Sequence, residues 1–85
     1  MKQFQYTIKD ELGIHARPAG EIVKAARQYS SEITVMGKSG SAPARKLMQL
    51  MALGIKSGET VTVTAEGEDE ETAISGIEKV FSDCV

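Results

Sequence analysis

The sequence predicts an α+β domain in which a layer of three helices covers one face of a β-sheet. Four segments alternate apolar and polar residues as half-buried strands do, and three repeat apolar residues at helical spacing. The elements follow the order β-α-β-β-α-β-α. Because each strand has one apolar face, the helices must cover that face, which gives a two-layer sandwich.

A glycine and a proline separate the first strand from the first helix. Alternation over residues 4–8 predicts the strand. Gly13 breaks this pattern, and Pro18, whose fixed φ suits a helix's first turn, marks a helix from about Ala16 to Gln28. Its apolar residues recur at i, i+3, i+4 and i+7, so one face should be buried. They are Ala19, Ile22, Val23 and Ala26.

The middle of the chain predicts a hairpin. Ile33 and Val35 indicate a second strand, and the turn at 37–40 leads into a short third strand. Pro43 has no N–H to donate to a neighbouring strand, so we expect the third strand at a sheet edge.

A short second helix, closed by Gly54, follows the hairpin. Leu47 and Met48 are adjacent, so one helical face cannot bury both equally. Either Leu47, Leu50 and Met51 enter the core while Met48 stays outside, or Leu47 and Met48 both border an exposed patch.

The last third of the chain predicts a strand and an amphipathic helix. Val61, Val63 and Ala65 alternate with threonines, as in a fourth strand with one buried face. The third helix begins with acidic residues, which suit the positive end of its dipole. Its apolar stripe consists of Ala73, Ile74, Ile77, Phe81 and Cys84.

Length and composition indicate one small globular domain, residues 1–85, with 41% hydrophobic and 26% charged residues. No apolar run approaches the ~18 residues of a membrane span, and the residues from Met1 begin no secretory signal. The single cysteine, Cys84, has no partner for an internal disulfide, so we expect a cytoplasmic protein. We interpret Cys84 as a packed or frayed terminal thiol, because no second histidine is present to activate it.

The formal net charge of −2 conceals a basic segment. From Arg17 to Lys56 there are seven basic and two acidic residues, a difference of +5. This segment either docks on acidic protein surfaces or is a solvated face. No nucleic-acid partner is expected, because the chain has no basic run, no tryptophan and no recognisable binding module.

The only histidine, His15, lies two residues before Arg17 at the predicted start of the first helix. Backbone N–H groups and the helix dipole favour an anion there, and a helix N-terminus helps to keep a nucleophilic imidazole neutral. A guanidinium binds phosphate bidentately. From the residues alone, His15 is either a phosphoryl acceptor or a solvated histidine that caps the helix.

A family resemblance rests on three segments: GIHARPA at 13–19, MQLMALGI at 48–55 and AEGEDE at 65–70. They resemble, with matching spacing over nearly the whole chain, the family HPr, the histidine phosphocarriers of the bacterial sugar phosphotransferase system. The resemblance implies a four-stranded antiparallel sheet in the order 1-4-2-3, open to solvent on its second face.

The resemblance also implies a stoichiometric phosphoryl carrier rather than a turnover enzyme. His15 would accept phosphate from enzyme I, at Nδ1 in the family pattern, and pass it to an enzyme IIA domain. Arg17 would stabilise the phosphoryl group, and the amides of Ala16 and Arg17 would bind its oxygens. Partner docking in the family maps onto Gly20, Leu47, Met48, Gln49 and Met51. We expect a monomer without membrane insertion.

No cofactor or metal is expected within the chain. One histidine and no cysteine cluster offer no zinc site, and the acidic run from Glu66 to Glu71 lacks calcium-loop spacing.

Two other functions are alternatives to the phosphoryl carrier. A regulatory adaptor of the same fold would require neither His15 nor Arg17, and a purely structural interaction domain would leave that pair unexplained.

The sequence departs from the family at two positions. Many Gram-positive members carry a regulatory serine just before the second helix, where this chain has Lys46, so phosphorylation at that position is not expected. Ser39 and Ser41 are near in sequence but lie in the predicted turn and edge strand. Leu12 stands where members often have a small polar residue.

Overall fold

The computed structural model describes residues 1–85 and has the predicted element order. No helix in it has the length and apolar character needed to cross a membrane. The bounds are β1 Lys2–Thr7, α1 Ala16–Ala26, β2 Glu32–Gly37, β3 Gly40–Pro43, α2 Leu47–Ala52, β4 Thr60–Glu66 and α3 Glu70–Cys84.

The four strands form one sheet in the order β1-β4-β2-β3, with every neighbouring pair antiparallel. The expected order and orientation are therefore confirmed. Val63 lies at the centre, opposite Phe4 of β1 and Val35 of β2. The third strand is at the edge, as Pro43 predicted, and Pro43 is paired only with Thr34.

The core lies between the sheet and the helices. Alternate residues of β2 and β4 are buried, and the polar residues between them face the open side of the sheet. Phe81 of α3 is fully buried, and its ring meets those of Phe4 and Tyr6 edge-on at centroid distances of 5.6 and 5.7 Å. Such edge-to-face contacts fix the position of α3 across β1.

The first helix is shorter than expected at its C-terminal end, and Gln28 lies outside it. The Gln28 N–H donates to Ala25 O at 3.1 Å and the Tyr29 N–H to Ala26 O at 3.3 Å. These bonds span three residues rather than four, so the chain tightens into a turn after Ala26. This turn directs the chain towards β2.

The second helix buries one residue completely, Leu50, and exposes its first two. Leu47 is 37% exposed and Met48 is 76% exposed, whereas Met51 packs partly against the core. Of the two arrangements considered, Leu47 and Met48 both border an exposed patch. Gly54 follows with φ +62°, a left-handed conformation that ends the helix.

Candidate functional site

A tight turn over residues 10–13 prepares the chain for α1. The Gly13 N–H donates to Asp10 O at 3.0 Å, and the Leu12 N–H donates to Asp10 Oδ1 at 2.9 Å. Aspartate favours this first position because its carboxylate accepts the amide two residues ahead. Asp10 therefore stabilises the turn through both its backbone and its side chain.

The turn is fixed to the loop that follows α2. Gly13 has φ +71°, and a Cβ there would collide with the backbone of Ile55. The next residue, Ile14, is buried and donates its N–H to Ile55 O at 3.0 Å. Only glycine permits this combination of conformation and close approach. The anchor sets the direction in which the chain enters α1.

His15 is the N-cap residue of α1, with extended backbone and no side-chain capping bond. Its carbonyl accepts the Ala19 N–H at 2.9 Å, the first hydrogen bond of the helix. The N–H groups of Ala16 and Arg17 have no partner, since the first amides of a helix lack acceptors within it. Two free donors therefore lie beside the imidazole.

A shallow cleft of about 330 Å³ lies beside the imidazole. Its charged lining comprises the Arg17 guanidinium and three carboxylates. No three acidic, thiol or imidazole side chains lie close enough together to bind one metal ion. Arg17 is exposed and forms no ion pair. The lining residues are Asp10, His15, Arg17, Pro18, Glu21, Asp83 and Cys84. The guanidinium and the free amides together can bind an anion on the ring.

Asp10 is a neighbour of the imidazole that was not predicted from the sequence. Asp10 Oδ1 lies 3.7 Å from His15 Nε2, and each side chain is about one third exposed, at 33% and 35%. The spacing of Asp10 and Gly13 could have predicted this proximity, because aspartate and glycine are common at the first and fourth positions of a β-turn. That turn reverses the chain and returns His15 to the aspartate.

Cys84 also lines the cleft and is half-buried. Burial raises the pKa of the thiol, and the nearby carboxylates of Glu21 and Asp83 raise it further, against a smaller opposing effect of Arg17. A raised pKa keeps the thiol neutral and weakly nucleophilic. Cys84 therefore contributes shape to the cleft.

The residues predicted for partner docking lie on α1 and α2, which pack against each other. Leu47, Met48 and Gln49 are exposed, whereas Gly20 and Met51 are half-buried. The end of α1 is also bonded to the segment before α2, since Arg27 donates to Arg45 O at 3.4 Å. The helix that begins at His15 therefore also supports the exposed apolar start of α2.

Lys46 is the exposed N-cap residue of α2 and makes no side-chain capping bond. Its carbonyl accepts the Leu50 N–H at 2.9 Å. The two serines lie as predicted, Ser39 in the turn between β2 and β3 and Ser41 within β3. Ser39 Oγ donates to Leu53 O at 2.7 Å, which fixes the hairpin against the end of α2.

Known proteins resemble the chain over nearly its full length. Residues 2–83 match the family model "PTS HPr component phosphorylation site". A phosphocarrier protein HPr of Mycoplasma pneumoniae is 42% identical over 82 residues, which cover 95% of this chain and 93% of the relative. A solved Mycoplasma histidine-containing phosphocarrier superposes with a TM-score of 0.94 at 35% identity, covering 96% of this chain and 93% of that one.

A larger relative shows the same domain within a longer protein. The multiphosphoryl transfer protein of Salmonella typhimurium is 41% identical over 76 residues, which cover 86% of this chain and 20% of that protein. The family match, the fold and the sequence identity agree. The chain belongs to the HPr family of phosphocarriers of the phosphotransferase system.

Proposed function

We propose that this chain carries one phosphoryl group on His15, receiving it from phosphorylated enzyme I and passing it to enzyme IIA domains. The observation that carries the proposal is the position of the only imidazole at the N-cap of α1, beside two unpaired amides and an unpaired guanidinium. These donors are arranged before the group arrives, so little reorganisation is needed to stabilise its charge. Such a protein acts stoichiometrically, one group for each chain.

The three carboxylates in the cleft also bear on the carrier role. Asp10, Glu21 and Asp83 repel the phosphoryl oxygens, while Arg17 and the helix amides attract them. The group is therefore held without being over-stabilised, which suits a protein that must release it again. We place this exchange in the cytoplasm, because a free thiol fits a reducing compartment.

Phosphorylation by enzyme I and phosphoenolpyruvate tests this function. The wild-type chain should gain one phosphoryl group by intact mass, labile to acid and stable to base. His15→Ala should gain none while its unfolding free energy changes by less than about 1 kcal/mol, because the side chain is partly exposed. A phosphoryl group that still arrives on His15→Ala would contradict the assignment. Binding of enzyme I without phosphorylation of the wild type would favour the adaptor function.

We further propose that partners dock on the exposed start of α2, with Gly20, Leu47, Met48, Gln49 and Met51 in the contact. Apolar exposure of Leu47 and Met48 supports this surface, and methionine adapts its shape to more than one partner. A partner would bury both side chains next to α1, the helix whose first residues line the cleft. The free chain is proposed to be a monomer, since Pro43 lacks the N–H that a second copy would use at the edge of β3.

Met48→Glu tests the docking surface. It should weaken binding to both enzyme I and an enzyme IIA domain by roughly tenfold or more, because an unpaired carboxylate would be desolvated in the contact. The matched control is Met36→Glu, which places the same charge at an exposed methionine of β2. Isothermal titration of each variant gives the comparison. Equal affinities for Met48→Glu and wild type would place the docking surface elsewhere.

A further inference from the structure

We propose that Asp10 is a positioning residue that holds the ring proton of His15 on Nε2 and leaves the Nδ1 lone pair for the phosphoryl group. This inference rests on the function proposed above and deepens it. Asp10 Oδ1 lies 3.7 Å from Nε2, and both side chains are about two-thirds shielded from solvent. At this distance the carboxylate acts on the Nε2 side of the ring by charge rather than through a direct hydrogen bond.

Three hydrogen bonds fix the position of Asp10. Its N–H donates to Val85 O at 2.9 Å, its carbonyl accepts the Gly13 N–H at 3.0 Å, and Oδ1 accepts the Leu12 N–H at 2.9 Å. A carboxylate held in this way loses little conformational entropy when it interacts with the imidazole. This distinguishes Asp10 from a mobile surface carboxylate that happens to lie near a histidine.

The carboxylate selects between the two neutral forms of the imidazole. A neutral ring has one N–H donor and one acceptor nitrogen, and a carboxylate only accepts. The proton is therefore favoured on Nε2, the nitrogen that faces Asp10, and the lone pair remains on Nδ1. Nδ1 is bonded to Cγ and so lies nearest the backbone of the N-cap residue, where the Ala16 and Arg17 amides are free.

The proton on Nε2 does not move during transfer. The Nδ1 lone pair forms a bond to phosphorus as the donor's bond to phosphorus breaks, and that bonding pair stays with the donor. The phosphorylated ring then carries a positive charge, shared with the Nε2–H that faces Asp10. On the second transfer the N–P bonding pair returns to Nδ1, and the ring leaves neutral. Asp10 stabilises the charge that develops in both directions.

Asp10→Asn tests the proposal, because the amide oxygen can still accept the Leu12 N–H while the charge is lost. Glu11→Gln is the matched control, since it neutralises an exposed carboxylate in the same turn. The first measurement is the ¹⁵N chemical shifts of the His15 ring in the unphosphorylated chain, at a pH where the ring is neutral. Wild type and Glu11→Gln should show the Nε2–H form, and Asp10→Asn should gain the Nδ1–H form.

The second measurement is the rate of transfer from phosphorylated enzyme I. Asp10→Asn should be slower by roughly three- to tenfold, the size expected for a partly exposed charge pair. Glu11→Gln should transfer at the wild-type rate. The same ring tautomers in wild type and Asp10→Asn, or equal slowing in both variants, would overturn the role of Asp10. Failure of the wild type to take up phosphate would instead overturn the proposed function. The ring spectrum is measured on the free chain, so it tests the role of Asp10 whether or not the chain is phosphorylated.

Discussion

At the scale of single residues, the site depends on what is left unpaired. Two ion pairs join the first residues of the chain to α3, and Arg17 is in neither of them. The Ala16 and Arg17 amides likewise have no acceptor. The backbone N–H groups of Leu12, Gly13 and Ile14, by contrast, each have an acceptor. Unpaired donors concentrated beside one imidazole indicate a place prepared for an external anion.

Replacement of Arg17 should separate docking from chemistry. Arg17→Ala should slow phosphoryl transfer by roughly 10- to 100-fold, since a charge-assisted hydrogen bond contributes about 1.5–3 kcal/mol. Its effect on the affinity for enzyme I should be smaller, because the guanidinium interacts most strongly as charge develops. Arg17→Lys should restore only part of the rate, because lysine lacks the planar fork. Rapid-quench measurements compare the three chains, and equal rates would show that Arg17 is uninvolved.

Lys46 should make the chain insensitive to a kinase that phosphorylates the family's regulatory serine. It has no hydroxyl, and its cation at the start of α2 is disfavoured by about 0.3–1 kcal/mol. Incubation with such a kinase and ATP should leave the wild type unmodified by mass. Lys46→Ser determines whether only the acceptor is missing, in which case the variant becomes phosphorylated. Phosphoserine at Ser39 or Ser41 of the wild type would contradict the prediction.

At the scale of elements, the packing of the turn that follows α1 against α3 depends on a small residue. Gly76 of α3 lies against the hydroxyl end of the Tyr29 side chain, so that a Cβ there would collide with the hydroxyl and lie 2.9 Å from Cζ. Tyr29 is half-buried against the core. The other glycine within a helix, Gly20 of α1, has open space around its Cα. Two helical glycines therefore have opposite structural roles.

Alanine substitutions at these glycines should change stability in opposite directions. Gly20→Ala should raise the free energy of unfolding by about 0.5–1 kcal/mol, because alanine costs less backbone entropy in a helix. Gly76→Ala should lower the free energy of unfolding by roughly 0.5–2 kcal/mol. Alanine brings the same gain in backbone entropy there, but the strain of displacing Tyr29 exceeds that gain. Urea denaturation measures both. Stabilisation by Gly76→Ala would mean that the tyrosine ring moves aside freely.

At the scale of the whole molecule, two carboxylates at the start of α3 hold distant parts of the chain together. Asp69 accepts the N–H groups of Ser30 and Ser31, both at 2.9 Å, and the Ser31 hydroxyl. Glu70 binds the N-terminal amine at 3.0 Å. The start of β2, the start of β1 and the start of α3 thus meet at one junction, remote in sequence from His15.

This junction should make stability fall in acid. The hydrogen bond from the Ser31 hydroxyl, helped by the Ser30 amide, lowers the pKa of Asp69, and the N-terminal amine with the Gly67 amide lowers the pKa of Glu70. When a carboxylate pKa is lower in the folded state, the unfolded chain binds more protons in acid. The contribution of each carboxylate to the free energy of unfolding is complete above its ordinary pKa near 4. It is lost as the pH falls through the lower pKa of the folded state.

Chemical denaturation between pH 2 and 7 measures this loss. The unfolding free energy should be nearly constant from about pH 6 to 5 for these two groups and should fall below about pH 4. Asp69→Asn and Ser31→Ala should each reduce the steepness of the fall, because the first removes the titrating carboxylate and the second removes the hydroxyl hydrogen bond that lowers its pKa most. An acid dependence identical to wild type in both variants would show that other groups control acid unfolding.

The sequence by itself determined the seven elements and most of their buried faces. Alternation predicts which side of β4 is buried, because side chains of a strand point to opposite faces, and periodicity does the same for α3. Gly13, Pro18 and the single histidine predicted where α1 begins and what lies at its start. The strand order was expected only from the family resemblance, since alternation specifies a face and not a neighbour.

Tertiary structure alone decided the contacts between segments. The end of α1 before Gln28 depends on how the chain turns towards β2, and the exposure of Leu47 depends on how α2 is seated on α1. The approach of Asp10 to His15 depends on the turn between them and on its anchor at Ile55. Local patterns record the preferences of a segment for helix, strand or turn. They carry no information on which distant backbone or side chain will lie opposite it.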